Sequence, residues 1–329
     1  MVSIIIPFHH SVGLLNEVID NLCEGIDPSL FEIIVVNDGS CYPTGGFAPL
    51  KIGKPNMKVI NTPVQRGVGY SFDRGIEKAT GETIVLMGAD VFPRQRSWIG
   101  DVSNAVMSHP NTIGCSVCIG LTPDDHNLDR KGHSTYYGAD LLTTVSPEDL
   151  PENSQKLKEN PDYRAIFEGK WRTTKDKNVP YHIPCALGAF YFTSKRYYNE
   201  IGGWDTTAGQ RFQGHMYWGG LEPHISLKSW LYGGGVTLFP NIEAGHVFGR
   251  VSKENQNEHR SRRSDMFHWN KLWIAETLIF DDRLREQIIS HLPDSLNLNK
   301  AKKYIRQHYS AVLAKRRENE SKCVMKSMF

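Results

Sequence analysis

The sequence predicts an α/β protein, with a mostly parallel central sheet flanked by helices and a helical appendage at its C-terminal end. Two observations predict it. Short β-rich apolar runs alternate with helical patterns along the N-terminal half, and strands joined through helices pair in parallel. A chain of 329 residues with 40% apolar content is also long enough to bury one large α/β core or two ordinary ones. With 38 basic and 36 acidic residues and a formal net charge of +2, the chain does not bind polyanions by bulk charge. A local basic patch is still compatible with that balance.

The candidate strands are Ile4 to Pro7, Ile33 to Asn37, Lys58 to Asn61 and Thr83 to Met87. Between them, Leu14, Leu15, Val18, Ile19 and Leu22 recur at helical spacing and predict a helix from about Val12 to Glu24. A second helix is expected from Gly69 to Ala79. Open α/β sheets bind ligands beyond the carboxyl ends of their strands, which gathers Pro7 to His10, Asp38 to Ser40, Gln65 to Gly69 and Gly88 to Asp90 around one crevice.

Residues 119–182 are polar with little periodicity and read as an inserted region; Asp124, Asp125 and His126 within it read as solvated charges. Order returns at Ile183 to Phe192, followed by a helix from Ser194 and the turn Gly202-Gly203-Trp204-Asp205. Phe267 to Glu276 reads as an aromatic helix packed on the core, and the apolar positions from Asp281 onward suggest two helices with charged outer faces. Cys115 and Cys118 have a metal-pair gap but sit in an apolar strand-like run, so they are expected as buried thiols. With no basic signal-peptide start and no apolar run of membrane-spanning length, a soluble cytoplasmic protein is the expectation.

The densest chemistry lies in Trp218-Gly219-Gly220-Leu221-Glu222-Pro223-His224, which reads as a loop running into a helix, and in Gly245-His246-Val247-Phe248 after a further apolar run. A carboxylate and an imidazole brought together in this way suit a metal and a base. A Gly-rich turn with a core Trp is the plainer alternative.

The order Trp-Gly-Gly, Ser226-x-x-x-Trp230, Gly-Gly and Gly-His-Val-Phe resembles the polypeptide N-acetylgalactosaminyltransferases and their relatives among the family 2 glycosyltransferases. Val2 to Pro7 and Ile33 to Ser40 resemble the first two strands of the nucleotide-sugar-binding GT-A fold of that family, and the similarity runs with gaps to about Glu276. The resemblance implies a catalytic domain over 1–276, divided into a nucleotide-binding half (1–118), the inserted acceptor-side region (119–182) and an acceptor and metal half (183–276), with 277–329 as an extension. It implies a UDP-sugar donor held by Pro7, Asp38, Arg66, Arg74, Ala89, Trp218, Gly219 and Arg250, with Asp38 facing the uracil. For Arg66 and Arg74, helix capping is the alternative to phosphate contact.

By the same resemblance, Gly188 and Asp205 approach the sugar, although Asp205 suits a turn cap equally well. Mn2+ or Mg2+ would be held by Asp90 and His246. Relatives carry a first metal Asp where this chain has Gly88. Glu222 aligns with the second position of an acidic pair whose carboxylate deprotonates the acceptor in inverting enzymes, where the retaining N-acetylgalactosaminyltransferases have Glu-Asn; inversion is the expectation and retention the alternative, and His224 would orient Glu222, join the metal or lie on the helix surface. Basic residues from Arg250 to Arg263 resemble a loop that covers the diphosphate. The acceptor is expected to be a glycan, a protein or a hydroxylated DNA base. The alternative is a nucleotide-sugar-binding module without catalysis. A nucleotidyltransferase would want a Gly-rich basic loop after the first strand, where Pro7-Phe8-His9-His10 stands.

Overall fold

The computed structural model describes residues 1–10, 12–41, 46, 49–50, 53–54, 56–121, 134–142, 166–206, 219–248, 264–292 and 296–324. Four parallel strands build the N-terminal half: β1 (Val2–Phe8), β2 (Phe31–Asp38), β3 (Met57–Thr62) and β4 (Thr83–Met87), in the order β4-β1-β2-β3. The β-branched runs of β1, β2 and β4 are buried on both faces, as a parallel sheet covered by helices requires, while β3 at the edge is partly exposed. Ile4, Ile6, Ile33 and Val35 point to one face, where they pack with α1 (Val12–Cys23) and α3 (Trp98–Ser108). Ile5, Ile34, Val36 and Leu86 point to the other, with α2 (Val68–Lys78). Gly75 lets α2 approach the sheet, because a Cβ there would stand 2.2 Å from Ile5 Cγ2.

Beyond β4 the sheet becomes mixed. β5 (Val91–Pro93), β6 (Ile113–Leu121), β7 (Ser134–Tyr136), β10 (Tyr181–Ile183), β11 (Phe190–Ser194) and β12 (Val236–Val247) continue it. β11 inserts antiparallel between β4 and β6, while β12 runs parallel to β6. The single apolar run expected from Ile183 to Phe192 is thus two strands, divided where Gly188 (φ 121°) and Ala189 (φ 58°) turn the chain. Within the inserted region, β8 (Ala139–Leu142) pairs with β9 (Glu168–Trp171) as a separate ribbon.

The remaining helices are α4 (Lys195–Ile201), α5 (Leu221–Leu231), α6 (Ser264–Leu278), α7 (Asp282–Ser290), α8 (Leu296–Gln307) and α9 (Tyr309–Lys322). Three helices follow residue 280 among the described residues, where the periodicity suggests two, because α8 and α9 part at His308. A third core joins Leu227 and Leu231 of α5 to Trp269 and Trp273 of α6, and to Leu298, Ile305 and Val312 of the last two helices. No helix among the described residues is long and apolar enough to cross a membrane. The six cysteines are free thiols; Cys115, Cys118 and Cys185 are buried, and burial pushes the Cys115 thiol up to about 12.

One buried charge cluster ties these layers together. Asp205 accepts from Lys228 Nζ at 2.5 Å and His224 Nε2 at 3.2 Å, both on α5, and from Trp273 Nε1 at 3.2 Å on α6. Lys315 Nζ of α9 lies 3.3 Å away. Burial alone would push the Asp205 carboxyl up, but Lys228, His224 and Lys315 outweigh it and hold the group well below the usual carboxylate range. Burial lowers the His224 imidazole, so it stands neutral with Nε2–H directed at Asp205. Lys228→Met would leave a buried carboxylate short of its nearest cation. The expected loss is about 3 kcal/mol of unfolding free energy, read from urea melts; an unchanged midpoint with an unchanged slope contradicts it.

Candidate active site

The crevice at the strand ends contains the expected residues from four successive strands. At the end of β2, Asp38 is buried, and its two oxygens accept from the backbone N–H groups of Arg66 and Gly67, each at 2.7 Å. The carboxylate thereby fixes the loop that opens α2. Asp38 is acceptor-only when ionised, so its remaining lone pairs keep it able to receive a further N–H. Arg66 and Arg74 both lie over the Tyr70 ring, at 4.8 and 5.4 Å from guanidinium carbon to centroid, and Arg74 also pairs with Glu77. Pro7 is half-buried on β1 beside Val36.

After β4 the chain turns through Gly88, Ala89 and Asp90. β5 then pairs with β12 so that His246 faces Val91, and Val247 N–H donates to Asp90 O at 3.0 Å. This places His246 Nε2 3.4 Å from Asp90 Oδ2, with both side chains partly exposed. The other ring nitrogen, Nδ1, is buried, so Nε2 is the one that meets Asp90. Two neighbouring ligands of an octahedral ion, each about 2.1 Å from it, stand about 3 Å apart. One carboxylate and one imidazole at this spacing therefore fit a divalent cation that accepts mixed oxygen and nitrogen donors. No set of three or more such ligands converges among the described residues. A Cβ at Gly88 would come within 2.5 Å of Asp90 Oδ1, the end of a partly exposed side chain that can turn aside.

Glu222 occupies the first turn of α5, whose start is fixed from three sides. Trp204 Nε1 donates to Leu221 O at 2.9 Å, Asn270 Nδ2 of α6 donates to Gly219 O at 3.0 Å, and His224 is tied to Asp205. Tyr191 OH donates to Glu222 Oε1 at 3.0 Å and accepts from Ala189 N–H at 2.8 Å; Ala189 O in turn accepts from Gly88 N–H at 3.0 Å. Gly88, Ala189, Tyr191 and Glu222 thus form one hydrogen-bonded chain from the turn before Asp90 to the carboxylate. Burial raises the Glu222 carboxyl above its ordinary value, against the Tyr191 hydrogen bond that favours the ionised form.

Several expectations are corrected or bounded by the geometry. Asp205 is buried and engaged by Lys228, His224 and Trp273, with Lys315 beside it, so the described contacts give it a role in holding the fold. His224 is likewise buried on Asp205, away from the helix surface and the Asp90–His246 pair. Gly188 sits at the turn before β11, where a Cβ would meet Cys118 Cβ at 2.7 Å. Trp218, Arg250, the basic residues to Arg263, and Asp124 to His126 lie outside the described residues. Tyr191, within an apolar strand, had no distinguishing sequence signal. Nor did Glu168 of β9, which pairs at 3.2 Å with the buried Lys271 of α6.

Residues 3–202 match the model of glycosyl transferase family 2, and the chain belongs to that family. It is 23% identical over 254 residues to polypeptide N-acetylgalactosaminyltransferase 10 of Rattus norvegicus, covering 75% of this chain and 37% of the relative. With polypeptide N-acetylgalactosaminyltransferase 15 of Homo sapiens, identity is 24% over 314 residues, covering 92% and 43% of the two chains. The chain spans less than half the length of these relatives. Among solved structures, that of GalNAc-T7 with UDP, GalNAc and Mn2+ superposes with a TM-score of 0.54 at 14% identity, covering 94% of this chain and 57% of that one. The architecture is the GT-A fold.

Replacing Tyr191 by Phe removes the hydroxyl that favours ionised Glu222. Its carboxyl is expected to titrate at still higher pH, followed by the carbon chemical shift of labelled glutamate; a midpoint that stays or falls contradicts this role for Tyr191.

Proposed function

We propose that the chain is a glycosyltransferase that moves a sugar from a UDP-sugar donor to an acceptor hydroxyl with inversion at the anomeric carbon. The observation that carries this reading is the placement of Glu222: a half-buried carboxylate, raised in pKa, connected through Tyr191 and Ala189 to the turn that bears Asp90. Asp38 receives the uracil N–H while it holds the Arg66–Gly67 loop in place, and Pro7, Arg66, Arg74, Ala89, Trp218, Gly219 and Arg250 complete the donor side. Glu222 takes the proton from the acceptor hydroxyl as that oxygen attacks. A carboxyl raised by burial is a stronger base for this step than an exposed glutamate.

Asp90 and His246 would hold Mn2+ or Mg2+. Such an ion, when bound, neutralises charge on the departing diphosphate. Support comes from the ligand spacing of the pair and from the Mn2+ in the GalNAc-T7 structure. We read residues 1–276 as the catalytic unit and 277–329 as its helical brace, in a cytoplasmic setting that accords with the buried thiols. The acceptor is a glycan, a protein or a hydroxylated DNA base.

The test is hydrolysis and transfer across uridine, guanosine and cytidine diphosphate sugars, with and without manganese, together with donor-induced thermal shifts. Glu222→Gln is expected to slow transfer about a hundredfold to ten-thousandfold while the donor still stabilises the protein. His246→Ala is expected to abolish the manganese dependence. A donor that binds but is never hydrolysed or transferred would identify a binding module instead.

A further inference from the structure

The charge of the chain is unevenly distributed. From Leu296 to Arg317 there are seven basic residues and no acidic one, although the whole chain carries only +2. Two of the seven serve the fold: Lys315 pairs with Asp205 and Glu318, and Arg316 pairs with Glu276. The cations of α8 do not. At 100° per residue, Leu298, Ala301 and Ile305 share one stripe, buried in the third core. Leu296, Lys300, Lys303 and Arg306 fall on the opposite stripe, and each is exposed. None of Lys300, Lys302, Lys303 and Arg306 has an ion-pair partner among the described residues.

Two large apolar side chains are exposed close in sequence to the two ends of this helix. Leu296, the first residue of α8, is 72% exposed, and Tyr309, the first of α9, is 46% exposed. From Lys300 to Arg306 the row extends about 9 Å along a helix whose other face is fixed on α6. A phosphodiester backbone would meet the cations but offers nothing apolar to Leu296. An anionic bilayer surface meets both needs, since head groups face the lysines and the acyl boundary receives Leu296 and the Tyr309 ring.

We propose that the outward face of α8 docks the protein on anionic lipid head groups. The apolar stripe of α8 stays in the core, so the contact is peripheral and reversible. The face shares no residue with the crevice at the strand ends, and docking is therefore independent of the transferase reading.

The test is sedimentation of the full chain with vesicles of phosphatidylcholine containing phosphatidylglycerol, against vesicles of phosphatidylcholine alone. Binding to the anionic vesicles only, weakening as salt is added, is the expected result. Each cation contributes about fivefold, so the triple variant K300E/K303E/R306E is expected to bind roughly a hundredfold more weakly. L296S is expected to weaken binding without changing its salt dependence. Unchanged thermal melting of both variants, with donor hydrolysis retained, separates lost docking from lost folding. Absence of sedimentation at low salt, equal binding by the triple variant, or retention on duplex DNA without retention on vesicles would each overturn the proposal.

Discussion

The carboxylate of Asp205 is the interaction on which the arrangement of the candidate site depends. It receives donors from α5, α6 and α9, and it lies at the end of the turn whose Trp204 holds the carbonyl of Leu221. Burying an ion this deeply is costly unless every lone pair finds a partner, and a well-packed apolar cluster of the same volume would stabilise the fold at least as well. What the charged cluster adds is direction. An apolar contact tolerates a sliding helix, whereas Asp205 fixes the rotation and height of α5 through His224 and Lys228, and Glu222 is placed by that rotation. Asp73 of α2 extends the same anchoring, accepting from Tyr198 OH at 2.5 Å and from Thr206 N–H at 3.1 Å.

The second constraint is the reversal at Gly188 and Ala189. It allows β11 to enter the sheet antiparallel beside β4, and so puts Tyr191 where its hydroxyl serves both the turn and Glu222. Asp90 and Glu222, more than a hundred positions apart in sequence, are thereby joined through one strand of the sheet. Active-site precision of this kind comes from strands and helix starts more readily than from loops.

Much of this was legible in the residues because it is local. The strands of the N-terminal half follow from β-branched runs, and α1 and α2 from their periodicity. Asp38, Asp90, Glu222 and His246 stand out because each follows a strand or opens a helix in a recognisable motif. Interactions made across the fold were not legible. His224 reads as a surface residue beside Glu222 until Asp205 is known to face it, and Lys315 gives no sign within its helix that it turns inward to Asp205. Glu168 and Lys271, just over a hundred residues apart, meet only because the β8–β9 ribbon reaches α6. The mixed character of the sheet also escaped, since nothing in Ile183 to Phe192 except two small residues marks where one strand ends and another begins.

Gly88 carries an evolutionary consequence. Asp90 Oδ1 occupies the space that any side chain at position 88 would enter. A carboxylate gained at 88 would require the partly exposed Asp90 side chain to turn to another rotamer. The two positions are epistatic: the value of a carboxylate at one depends on where the other already points.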